Sequence, residues 1–167
     1  MLVKRCVIKC DTPDRCGKNK KFQQEFLETH NAYRALHGAP PLTYNSKMCS
    51  EAQKWADECL RIHTLGHSET KDGENMSLHS VFCWYVSGKD AVDAWYSEIK
   101  DYNFKKPGFK SGTGHFTQVV WKESKELGLG MATDGRMAFV VGQYRPPGNF
   151  SNPGQFEANV LPKSKFM

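Results

Sequence analysis

The sequence contains no apolar run approaching the roughly 18 residues that a membrane-spanning helix requires. The first residues, MLVKRCVIKCDTPDRC, also lack the apolar stretch of a secretory signal, so export by the usual route is not expected. No two cysteines stand in a CxxC pair, which gives no support to a zinc ribbon or a thioredoxin-like motif. There is no internal repeat, low-complexity tract or interdomain linker. The body of the chain carries no excess charge either. The net charge of +5 belongs to residues 1–21, where seven Lys or Arg face two Asp, while sixteen basic residues balance sixteen acidic ones from Phe22 onward. A domain that reads nucleic acid carries its own basic face, so a nucleic-acid partner is not expected. A short basic arm suits a solvated tail or a contact with acidic lipid headgroups.

What is present describes one globular domain. The 167 residues are 39% apolar and 25% charged, with four Trp, six Tyr and ten Phe to fill a core. The expected organisation is a basic, cysteine-containing, flexible arm over 1–21 and a single domain over 22–167. Six cysteines (Cys6, Cys10, Cys16, Cys49, Cys59, Cys83) are an even number. Cys49 and Cys59, however, fall at apolar positions of a predicted helix, where a free thiol behaves as a small hydrophobe. A reducing compartment fits that usage, with bridging inside the arm left open.

Helical spacing of Phe22, Phe26, Tyr33 and Leu36 predicts a first helix, ended by Gly38, Pro40 and Pro41. A second begins at Asn45 or Ser46 as cap, with an apolar stripe of Met48, Cys49, Ala52, Trp55, Ala56, Cys59 and Leu60, and stops at Gly66. A third runs from Lys89 to Asp101. Period-two alternation of Leu127, Leu129 and Met131, then Asp134-Gly135, then Met137, Phe139 and Val141 predicts a hairpin. Residues 75–80 offer another strand, and the turn-rich end wraps the surface. The fold class is therefore α+β, with helices covering a sheet.

Within the segment SGTGHFTQVVWKES, His115 precedes an apolar run. On spacing alone it reads as a structural histidine where a helix turn meets the core. Glu98 lies beside an aromatic stripe, and His67 and Glu74 fall in loop-like surroundings. The stretches HNAYRALHGAPPL, DGENM, AWYSEIKDYNF, GHFTQVVWKESKELGLG and QYRPPGNF, in that order, resemble the CAP superfamily of cysteine-rich secretory, antigen 5 and pathogenesis-related 1 proteins. The likeness covers about Phe22 to Pro162 and is strongest to the Golgi-associated branch.

The resemblance implies a three-layer α-β-α sandwich with a central antiparallel sheet. It also implies a cleft of two histidines and two glutamates, matched here by His67, Glu74, Glu98 and His115, with zinc or another divalent cation on the histidines. Two imidazoles make an open, weakly binding site. The family further implies a binding protein for sterols or anionic phospholipids that can form homodimers, with Tyr102, Phe104 and Phe109 as a lipid-contacting aromatic loop. The last aromatic of that loop pattern is replaced by Gly112. The alternative is a metal-dependent hydrolase, a protease or esterase, using Glu74 or Glu98 as base. Ser68, Ser111 and Ser124 lie near these motifs without a nucleophile elbow around any of them. The Gly-Cys-Gly of secreted members reads Gly128-Leu129-Gly130, and Met1-Leu2 cannot be myristoylated. The expected location is cytoplasmic, peripheral on the Golgi or another membrane, with an extracellular site reached by an unconventional route as the alternative.

Overall fold

The computed structural model describes residues 20–80 and 86–164. Most of the basic arm, with Cys6, Cys10 and Cys16, lies outside the described residues, as does Cys83. Helix α1 (Lys20–Leu36) starts inside the stretch assigned to the arm, since Lys20 and Lys21 form its first turn. Then come β1 (Thr43–Tyr44), α2 (Ser46–Ile62), β2 (Gly73–Ser80), α3 (Gly88–Tyr96) continued by a 3-10 turn (Ser97–Asp101), α4 (Gly114–Val120), β3 (Glu126–Thr133), β4 (Met137–Arg145) and α5 (Gln155–Asn159). The sheet order is β1-β3-β4-β2, antiparallel except for the short β1–β3 pair.

Alternation along the hairpin sorts side chains to two faces. Leu127, Leu129, Met131, Val140 and Tyr144 meet Phe22, Phe26, Trp95, Phe116 and Val119 of α1, α3 and α4. Phe139, Val141 and Ala132 meet Ala52, Ala56 and Cys59 of α2. The result is an α-β-α sandwich. The small residues between the large ones are not solvent-facing: a Cβ on Gly130 would lie 2.1 Å from the Ala52 carbonyl oxygen, so α2 rests directly on strand backbone. Cys49 and Cys59 are free thiols, and Cys59 is fully buried.

Three further features differ from expectation. Asn45 caps α2, accepting from the Lys47 and Met48 amides, but the helix stops at Ile62 with His63 left-handed, not at Gly66. Instead, Gly66 offers its carbonyl to Trp55 Nε1 at 2.8 Å, which folds the following loop back onto the helix. The single helix expected over Lys89–Asp101 tightens after Tyr96 into the 3-10 turn, which takes Glu98 off the α-helical stripe. The C-terminal stretch does more than wrap: Phe156 of α5 is 3% exposed and packs edge-on against Trp121, with ring centroids 5.2 Å apart.

Candidate functional site

The four residues singled out form two His–carboxylate pairs at one end of the sheet. Glu74, near the start of edge strand β2, is cross-strand partner of Gln143 on β4. Its carboxylate accepts from His67 Nδ1 (3.0 Å), the Ser68 amide (2.9 Å), Ser68 Oγ (2.6 Å) and Gln143 Nε2 (3.1 Å). A carboxylate can only accept, so His67 carries its proton on Nδ1. The loop bearing His67 is closed at its far end by Arg145, which grips Asp72 through two bonds of 2.8 and 2.6 Å.

Glu98 makes the second pair. The 3-10 turn brings it to the first turn of α4, where Oε2 accepts the amides of His115 (2.9 Å) and Phe116 (3.2 Å) and Oε1 accepts His115 Nδ1 (2.8 Å). A carboxylate here satisfies orphan amides and complements the helix dipole. The His115 ring lies nearly parallel to Trp95, 21° between planes. Helix α4 is gripped at its other end by Arg34, fully buried, whose guanidinium donates to the carbonyls of Pro40, Val119, Trp121 and Ser124 at 2.8–3.1 Å. Burial lowers the Arg34 pKa to about 10.

From the second pair a buried polar chain, which spacing arguments did not single out, runs to α1. Asn75 Nδ2 donates to the His115 carbonyl (3.0 Å) and to Tyr144 Oη (3.2 Å), and Tyr144 Oη lies 2.8 Å from His30 Nε2. His30 Nδ1 donates to the Phe26 carbonyl at 2.8 Å, so Tyr144 donates to Nε2. Desolvation lowers the His30 pKa from 6.5 to about 3, and the ring is neutral. The one sequence signal for this chain is a histidine on the apolar side of α1, aligned with Phe22 and Phe26.

A cleft of about 290 Å³ beside the first pair is lined by His67, Ser68, Asp72, Glu74, Gln118 and Asn149, among others. Neither His67 Nε2 nor His115 Nε2 has a hydrogen-bond partner among the described residues. Two outward ring nitrogens, each backed by a carboxylate at Nδ1, have the donor chemistry of metal-ligating histidines. Among the described residues no group of three or more His, Cys, Asp or Glu converges to hold a metal ion, and of the two histidines only His67 lines this cleft.

Of the three rings expected in an exposed aromatic loop, two are turned inward. Tyr102 is 7% exposed, and Tyr102 and Phe104 pack on Phe116. Only Phe109, at 63%, faces outward. Among the serines, Ser68 Oγ is committed to Glu74, and Ser124 is fully buried and donates to the Pro146 carbonyl.

Helices on both faces of a four-stranded sheet, with two His–Glu pairs at its end, define a sandwich of the CAP type. The Cysteine-rich secretory protein family matches residues 27–144, and the chain belongs to that family. It is 46% identical over 153 residues to the human Golgi-associated plant pathogenesis-related protein 1, covering 88% of this chain and 97% of that one. Protein PRY2 of Saccharomyces cerevisiae is 37% identical over 144 residues, 84% of this chain. The chain spans only 41% of PRY2 and 55% of a second fungal relative, Repressed by EFG1 protein 1 of Candida albicans. Among solved structures, NaASP2 with Zn2+ superposes with a TM-score of 0.69 at 26% identity, over 91% of this chain and 90% of that one.

Proposed function

We propose that this domain is a non-catalytic binding module that keeps a weak divalent-cation site at His67 and His115 and associates with lipid surfaces. The observation that supports it is the commitment of both carboxylates. Glu74 accepts four hydrogen bonds and Glu98 three, so each orients a histidine and holds a backbone turn. A hydrolase needs one of them free to take a proton from water. Bound zinc would supply Lewis acidity; His67 and His115 Nε2 would hold it, and Glu74 and Glu98 would fix the ring orientations. The solved structure of NaASP2 with Zn2+ adds weight to the metal.

Calorimetry with zinc tests the site: the His67→Ala/His115→Ala double variant is expected to lose at least about tenfold in affinity. Unchanged affinity overturns the assignment. Glu98→Gln is expected to leave liposome association intact, and metal-dependent ester or peptide turnover abolished by that change would replace this reading with the hydrolase.

The membrane part of the proposal draws on the basic residues of 1–21, on Phe109 with Lys105, Lys106 and Lys110 beside it, and on the Golgi-associated relative. Anionic phospholipid or sterol-containing bilayers are the partners, the place is the cytoplasmic face of the Golgi or another membrane, and a homodimer is the assembly to test for. No helix among the described residues is long and apolar enough to cross a membrane, which is consistent with peripheral attachment.

A further inference from the structure

A second groove, of about 390 Å³, adjoins the cleft and shares Ser68 and Thr70 with it; its other lining residues are Glu51, Lys54 and Trp55 of α2 and Gln143 of β4. Gln143 is 2% exposed, and its amide is held in one orientation because only the Nε2 end can meet the Glu74 carboxylate. That leaves Gln143 Oε1 as a buried acceptor with no partner. An unpaired buried carbonyl is unfavourable, and a ligand donor would relieve that cost. Trp55 is fixed by its bond to the Gly66 carbonyl, so its ring is a pre-set wall of the groove. Thr70 Oγ1 accepts the Asp72 amide, which leaves its own proton to give.

The chemistry of this lining narrows the occupant. A lipid chain would bury Gln143, Thr70, Lys54 and Glu51 without partners. A polyanion would meet Glu51 in the groove and Glu74 in the adjoining cleft, and a cation would meet Lys54. A neutral ligand with an apolar face for the indole and several hydroxyls that both donate and accept satisfies every group. We propose that this groove binds a saccharide ring, its C–H face on Trp55, one hydroxyl donating to Gln143 Oε1, and others pairing with Lys54, Glu51 and Thr70. The site is separate from the metal reading, because neither His67 nor His115 lines it.

The test is a heteronuclear NMR titration of the full chain, in chelator, with maltotriose and separately with triacetylchitotriose. At least one is expected to shift the Trp55 indole and Gln143 side-chain amide signals saturably, with Kd on the order of 0.1–10 mM. Trp55→Ala and the rim variant Glu51→Ala/Lys54→Ala are each expected to weaken binding at least about fivefold, whereas His67→Ala/His115→Ala leaves it unchanged. The proposal is overturned if neither sugar gives saturable shifts up to about 30 mM, or if the shifts map away from Trp55 and Gln143 in the wild-type protein. It is equally overturned if the rim variant binds as well as wild type. Loss of sugar binding in the histidine variant would assign the sugar to the cleft and not to this groove.

Discussion

His30 shows how a single residue carries information that its type alone does not. It is buried and neutral, its pKa lowered to about 3 by desolvation, and His37 is shifted the same way by the same cause. The unfolded chain takes up a proton near 6.5 and the folded one does not, so the contribution to stability is complete above that pH and falls as the pH drops toward about 3. Between pH 7 and pH 5 the folding free energy measured by urea is expected to fall by about 2 kcal/mol from His30, with His37 adding in the same direction. The lowered carboxyls of Asp90 and Asp134 act below that window. An unchanged or rising stability at pH 5 would mean that His30 is charged or solvated. Glu98 gives a second residue-scale test: Glu98→Ala strands the His115 and Phe116 amides and is expected to cost about 1–3 kcal/mol in the same assay.

At the scale of elements, α4 is held at both ends by side chains from other elements, Glu98 at its first turn and Arg34 at its last. The buried Arg34 has four carbonyl partners, and among the described residues no carboxylate pairs with it. Arg34→Met keeps the volume and removes every bond, and at least about 3 kcal/mol of stability should be lost. Packing of α2 on the sheet is tested by glycine. Gly130→Ala pushes a methyl into the Ala52 backbone and is expected to cost about 1–3 kcal/mol. Gly66→Ala meets nothing within 4 Å and should stay within about 0.5 kcal/mol of wild type. Equal effects at the two positions would mean that α2 can lift away from β3 without strain.

At the scale of the molecule, charge is segregated: the domain from Phe22 is balanced and the excess of five lies before it. Each Lys or Arg near an anionic leaflet contributes about 1 kcal/mol, screened over about 8 Å at physiological ionic strength. Replacing Lys4, Arg5, Lys9, Arg15 and Lys18 by Gln is therefore expected to weaken sedimentation with phosphatidylserine liposomes at least about tenfold and to remove most of its salt dependence. Binding that persists with the same salt response would shift the contact to Phe109 and its neighbouring lysines.

The α+β class, α1, the start of α2, the hairpin and the strand at residues 75–80 were legible in the residues alone, because periodicity and turn chemistry are local properties of the chain. Its motifs also led, through family likeness, to His67, Glu74, Glu98 and His115, although spacing alone made each an ordinary loop or core residue. The remaining features depend on groups distant in the chain. Gln143 finds Glu74 through strand register, and the Asn75–Tyr144–His30 chain joins β2, β4 and α1. Tyr102 and Phe104 turn inward because Phe116 offers them a packed surface. Gly128 and Gly130 look like gaps in an alternating strand until α2 is seated on them, where only a residue without a Cβ lets two backbones meet.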